Sequence, residues 1–148
     1  MSAQIMTADM TFECRATPVD VRRMLGRLRT RLAAEDLSDE KCSTIEIALA
    51  EALNNIVEHA YRPDERGAIT LTLSVGPRRL TCELRDLGVA MPGLGPPDGT
   101  APDVGGLRAT LPEGGFGWSL IRALTARLHY MREGTGNRLI LDFDIDVS

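Results

Sequence analysis

Residues Ala68-Ile69-Thr70-Leu71-Thr72-Leu73-Ser74-Val75 alternate apolar and polar side chains cleanly from Ile69 on. A β-strand sends successive side chains to opposite faces, so this stretch has one face to bury and one to leave in water. Gly76-Pro77-Arg78 turns the chain, and Arg79 to Arg85 returns as a second strand. The pattern predicts a β-hairpin. A lone hairpin is barely stable in water, so its apolar face must be covered by other elements of the chain.

Helices supply the cover. Thr17-Pro18-x-Asp20 is a helix start, with Thr as N-cap and Pro in the first turn, and the helix runs to about Ala34. Val21, Met24, Leu25, Leu28 and Leu32 form its apolar side. Arg22, Arg23, Arg27, Arg29 and Arg31 form a basic outer face, which reads as solvated or as a docking surface for an acidic protein. After Glu35-Asp36-Leu37 a second helix begins at Ser38, with Asp39 and Glu40 in its first turn, and ends near Tyr61. Phe116 to Arg127 is expected to form a third helix with Leu120, Leu124 and Leu128 along one side.

Thr7 to Arg15 alternates loosely and reads as an edge strand. His129 to Arg132 and Leu139 to Ile145 read as another hairpin, turned by Glu133-Gly134-Thr135-Gly136-Asn137. The sum is an α/β (α+β) two-layer sandwich: a largely antiparallel mixed sheet with helices on one face. The 148 residues are expected to form a single domain, 1–148. Residues 87–115 carry many Gly and Pro and little periodicity, and so long a loop is usually functional or mobile.

Three segments carry chemistry. The first is Glu51-Ala52-Leu53-Asn54-Asn55-Ile56-Val57-Glu58-His59-Ala60-Tyr61. Residues three and four apart share a helix face, so Glu51, Asn55 and His59 should line one side, with Asn54 and Glu58 beside them. Ile45, Leu49, Ala52, Leu53, Ile56 and Ala60 fill the other. No cation occurs from Ile45 to Tyr61. Carboxylates and carboxamides suit a divalent metal and the activation of an oxygen nucleophile.

The second segment, Leu84-Arg85-Asp86-Leu87-Gly88-Val89-Ala90, ends the hairpin. Its Asp can accept from an amino group, and a Gly two residues later lets backbone approach a ligand closely. The third is Gly114-Gly115-Phe116-Gly117-Trp118-Ser119, glycines running into an apolar helix. Helix N-termini present free N–H groups and a positive dipole end to phosphate. Neither a Walker phosphate loop nor a Rossmann fingerprint is present, since Gly-Lys-Ser/Thr and a parallel βαβ unit are both missing.

In this order the three segments resemble the GHKL ATP-binding superfamily of gyrase, histidine-kinase and MutL ATPase domains, with its Bergerat-type fold. The chain looks most like the small anti-sigma factor serine kinases within it, from about Phe12 to Phe143. The resemblance implies Glu51 as general base and Asn55 as ligand to Mg²⁺ on the ATP phosphates. It implies Asp86 as acceptor from the adenine amino group, with Gly88 and Ala90 beside the base. Gly115, Phe116, Gly117 and Trp118 would meet the nucleotide at the helix start, and 87–115 would be the ATP lid. His59 and Tyr61 would give structural support.

The chain departs from the pattern in places. Ala90 stands where the first glycine box usually has a second Gly, and Pro112-Glu113-Gly114 where a basic residue often precedes the glycine loop. A lid arginine such as Arg108 could help neutralise phosphate. The family's late Gly-Thr corresponds to Gly136-Asn137.

By resemblance the protein is an ATP- and Mg²⁺-dependent serine/threonine protein kinase and anti-sigma factor. It would bind a sigma factor, phosphorylate a STAS-domain anti-anti-sigma protein and form a homodimer. Two alternatives share the motifs: a nucleotide-binding adaptor without kinase activity, and a detached histidine-kinase ATP-binding domain. A net charge of −4 argues against general nucleic-acid binding. No stretch reads as a signal peptide or a membrane span, so a cytoplasmic protein is expected. Cys14, Cys42 and Cys82 lack metal-ligand spacing and read as small apolar residues in a reducing compartment.

Overall fold

The computed structural model describes residues 10–61, 67–90 and 113–145, with the backbone alone described for 113–117. The elements run β1 (Met10–Arg15), α1 (Pro18–Ala34), α2 (Asp39–Asn55), a π-helical turn (Ile56–Ala60), β2 (Ala68–Val75), β3 (Arg79–Asp86), α3 (Glu113–Leu124), β4 (Arg127–Glu133) and β5 (Gly136–Asp144). The sheet has five strands in the order β1-β2-β3-β5-β4, so β1 is an edge strand as its loose alternation implies.

All four strand pairings are antiparallel, so the described sheet holds no parallel pair. Sheet alternation is clean. Ile69, Leu71, Leu73 and Val75 on β2 are buried, as are Leu80, Cys82 and Leu84 on β3 and Leu139, Leu141 and Phe143 on β5. Helices cover that face. Ile45, Ala48, Leu49, Ala52, Leu53 and Ile56 of the central helix are fully sequestered, as are Met24, Leu28 and Leu32 of α1. Burying a side chain of this size is worth about 1.5–3 kcal/mol, which makes this two-layer core the main stabilising term.

Both N-caps form where the sequence places them. The Thr17 Oγ1 accepts from the Asp20 amide at 3.1 Å, and Ser38 Oγ from the Lys41 amide at 3.0 Å. On the basic side of α1, Arg29 reaches across to Glu46 of α2 at 2.7 Å, and Arg27 lies 5.5 Å over the Phe12 ring. Arg22 and Arg23 face solvent. Burial, with Asp20 and Glu13 nearby, pushes the Cys14 thiol up to about 11, and burial also raises Cys42 and Cys82. No helix among the described residues is long and apolar enough to cross a membrane.

Two elements differ from the sequence reading. The third helix begins at Glu113 and ends at Leu124, three residues early at each end. The Ala126 amide donates to the Asp142 carbonyl at 2.7 Å and draws the chain into the sheet, so Leu128 lies in β4 rather than on a helix. The buried side of α3 is accordingly Ile121 with Trp118 and Leu124 beside it, while Leu120 is exposed. The last hairpin is also longer than expected. Glu133 pairs with Gly136 across the Gly134-Thr135 turn, with Gly134 at φ 61°. Gly136 and Asn137 thus become strand residues, with Asn137 directly opposite Asp86.

Candidate functional site

Asp86 is the last residue of β3, and its carboxylate is buried at 5% exposure. Burial pushes its pKa above the usual aspartate value, against the Gly88 amide, the Asn137 side chain and the charge of Arg132, which pull it down. The Gly88 amide and Asn137 Nδ2 both donate to Oδ1 at 2.8 Å. Oδ2 takes part in neither bond and keeps its acceptor capacity for a ligand.

The turn that follows is held on several sides. The Val89 amide donates to the Ala60 carbonyl at 2.8 Å, tying the turn to the end of the motif helix. Gly88 sits so tightly there that a Cβ would overlap the Ala60 backbone carbonyl, so glycine is required by space. Tyr61 braces the other flank: its hydroxyl accepts from the Leu87 amide at 2.7 Å and donates to the Ala68 carbonyl at 2.8 Å. Ala90 is exposed.

Along the motif helix, Asn55 is buried at 5% exposure, and its Nδ2 has no hydrogen-bond partner among the described residues. A buried donor left without a partner costs about 1–3 kcal/mol, so Nδ2 calls for an acceptor beyond the described residues. Glu51, one turn earlier, is half-buried. His59 departs from the expected line. The Ile56 amide is shared between the Ala52 and Leu53 carbonyls, and the helix widens into a π turn from Ile56. The wider turn shifts the faces after Asn55: Ala60 is buried, while His59 is exposed beside Glu58 at 3.8 Å. It also brings Ala60 against Gly88.

Gly115 and Gly117 lie inside the first turns of α3, which packs beside α2. Trp118 is half-buried against the core. The Phe116 side chain, Arg108 and residues 91–112 lie outside the described residues. The structure therefore brings the Asp86–Gly88 turn to the end of the helix bearing Glu51 and Asn55. No cluster of three or more His, Cys, Asp or Glu side chains suited to a metal occurs among the described residues.

Sequence reasoning missed Tyr130 and Arg132, which reach the same corner from β4. The Tyr130 hydroxyl and an Arg132 nitrogen both donate to Asn137 Oδ1, the latter at 3.1 Å, and the same Arg132 nitrogen donates to the Gly88 carbonyl at 2.6 Å. Alternation marks both as sharing a face with Leu128, but only the strand register aims them at Asn137.

The sequence matches the histidine kinase-like ATPase domain over residues 14–143. The chain belongs to that family. Within it, the serine/threonine-protein kinase BtrW of Bordetella bronchiseptica is 34% identical over 98 residues, covering 66% of this chain and 67% of that protein. The serine-protein kinase RsbW of Halalkalibacterium halodurans is 32% identical over 139 residues, 88% of this chain and 78% of the relative. Two solved structures share the fold. The RsbU and RsbW domains of a Mycobacterium tuberculosis protein superpose with TM-score 0.66 at 19% identity over 94% of this chain, which spans 33% of that one. A blue-light activated histidine kinase domain of Erythrobacter litoralis gives TM-score 0.53 at 19% identity, over 83% of this chain and 60% of its own. This histidine kinase-like ATPase domain thus has the two-layer architecture of its family, and the family's chemistry implies ATP binding.

Proposed function

We propose that this domain binds ATP with Mg²⁺ and transfers the γ-phosphoryl group to a Ser or Thr hydroxyl of a protein partner. One observation carries the reading: Asn55 Nδ2, one turn after Glu51, is a buried donor with no partner among the described residues, as a group meant to meet a phosphate oxygen would be, on the helix whose end meets the Asp86–Gly88 turn. Asp86 Oδ2 would accept from the adenine amino group, with Gly88 and Ala90 beside the base. Gly115, in the first turn of α3, would offer its backbone N–H to phosphate, with Phe116, Gly117 and Trp118 next to it.

The donor set fits Mg²⁺. That ion keeps several waters and takes few protein ligands when it is shared with phosphate, and the carboxamide oxygen of an Asn, never its NH₂, can serve as one. Asn55 would hold it, and the bound ion would neutralise charge on the phosphates. Glu51 would take the proton from the attacking hydroxyl as its oxygen bonds to the γ-phosphorus. The bond to the bridging oxygen breaks, and ADP leaves with the electron pair.

The partners we propose follow from the family resemblance: a sigma factor held inactive, and a STAS-domain anti-anti-sigma protein as phosphate acceptor. The relatives named as serine-protein kinases support the acceptor class. Single-domain organisation over 1–148, a homodimer and a cytoplasmic setting belong to the same proposal.

The test is to incubate the protein with Mg²⁺, labelled ATP and a STAS-domain partner. Acid-stable phosphate is expected on the partner, and Glu51→Gln should lower its rate about a hundredfold while still binding ATP. Acid-labile phosphate would support a histidine kinase. A stable complex with no phosphate would support an adaptor.

A further inference from the structure

Asn137 uses every hydrogen-bonding site on its amide. Nδ2 donates to Asp86 Oδ1 and to the Val89 carbonyl, both at 2.8 Å. Oδ1 accepts from Tyr130 and Arg132. The residue is 4% exposed, so none of these bonds competes freely with water. The partners also fix which way the amide points. A flipped amide would set its oxygen against a carboxylate and a carbonyl, and its NH₂ against a hydroxyl and a guanidinium.

Arg132 is the cation of this corner. It is an exposed β4 residue, yet one guanidinium nitrogen binds both Gly88, inside the turn, and Asn137, which holds Asp86. Hydrogen bonds from charged donors are about twice as strong as neutral ones. Gly136, next to Asn137, packs close enough that a Cβ would lie 2.9 Å from the Asp86 carbonyl oxygen, so this strand end has little freedom to shift.

We propose that Arg132 is a positioning residue for base selection: acting through Asn137 and Gly88, it fixes the Asp86 carboxylate in the orientation that selects an amino-bearing purine. The inference rests on the reading of Asp86 as the adenine acceptor. Arg132 needs no contact with the nucleotide for this role. Its positive charge also favours the ionised carboxylate that accepts a hydrogen bond. Arg132 is the charge of opposite sign that acts on Asp86, and its neutral donors are Gly88 and Asn137.

The experiment compares ATP with inosine triphosphate, which carries a carbonyl where adenine carries the amino group. Both are titrated calorimetrically into wild type, Arg132→Met and Asp86→Asn, with circular dichroism and Tm as checks on folding. Arg132→Met should cut the preference for ATP over inosine triphosphate about tenfold, the scale of one charge-assisted hydrogen bond. It should also move the pH at which ATP binding falls off upward, since Asp86 loses its nearby cation.

An unchanged preference ratio in a folded Arg132→Met protein, or an equal loss for both nucleotides, would overturn the inference. Asp86→Asn separates the two levels. If it collapses the ratio while Arg132→Met does not, only the role of Arg132 fails. If Asp86→Asn leaves the ratio intact, the adenine reading itself fails.

Discussion

The two ends of the candidate site are built differently. At the Asp86–Val89 end, the described polar groups hold one another: the carboxylate, the Gly88 amide and carbonyl, the Val89 amide and carbonyl, and the Asn137 amide. At the Glu51–Asn55 end the buried amide of Asn55 has no partner among the described residues, and Glu51 is half open to solvent. The first end is held in place by its own bonds, with Asp86 Oδ2 left to accept. The second carries a donor, Asn55 Nδ2, with no partner among the described residues, which a phosphate oxygen would satisfy on the proposed reading. On the proposed reading the two ends would divide the work: the held corner would select the base, and the helix end would gain most from binding the phosphates and their metal.

The contrast can be broken at its stiffest point. Gly88→Ala would force a Cβ into the Ala60 carbonyl, and neither group is a flexible side-chain end. We expect a loss of about 3 kcal/mol, near 10 °C in Tm, together with loss of nucleotide binding. Thermal denaturation with and without ATP measures both. A variant as stable as wild type would mean that the turn can move and the corner is not rigid.

Asp86→Asn tests the same end more gently, because the internal bonds land on Oδ1 and an Asn oxygen can keep them. ATP affinity should fall about thirtyfold, since Oδ2 becomes a donor facing a donor. Its effect on stability has a definite sign. The folded pKa of Asp86 is raised above the unfolded value. The native state therefore binds more protons between those values, and wild type loses stability as pH rises through that window. Asp86→Asn should lose less over the same range, so denaturation curves of the pair should converge or cross as pH increases from about 4. Parallel curves would contradict a raised Asp86.

The smallest effect sharpens the other end. Asn55→Leu replaces a buried amide, whose Nδ2 has no partner among the described residues, with an apolar side chain of similar size. The nucleotide-free protein should gain about 1 kcal/mol, whereas Mg²⁺-dependent ATP binding should be lost. Urea denaturation reads the first change. A destabilised variant would show that Asn55 is already satisfied in the free protein.

Much of this molecule was legible before any coordinates. Alternation over Ala68–Val75, the Thr17 and Ser38 caps and the apolar sides of both helices all follow from local rules, and the elements form where those rules place them. The Asp86–Gly88 turn was legible only through its place between the acidic-amide helix and the glycine helix start, since an Asp-x-Gly turn alone is common. What was not legible depends on tertiary register. Leu128 continues a helical spacing, yet the Ala126–Asp142 bond recruits that segment to the sheet. His59 follows Asn55 by four residues, yet the π turn moves it to the surface. Tyr130 and Arg132 look like ordinary strand residues, Asn137 stands out only by its match to the family's late Gly-Thr, and the three converge on Asp86 only because β3, β5 and β4 lie side by side in that order.

The most direct test is calorimetric titration of ATP, with and without Mg²⁺, into wild type and Asn55→Ala. The account predicts binding that Mg²⁺ strengthens in wild type, and a loss of most of that Mg²⁺ dependence in Asn55→Ala. Equal Mg²⁺ dependence in both proteins, or no ATP binding by folded wild type, would contradict it.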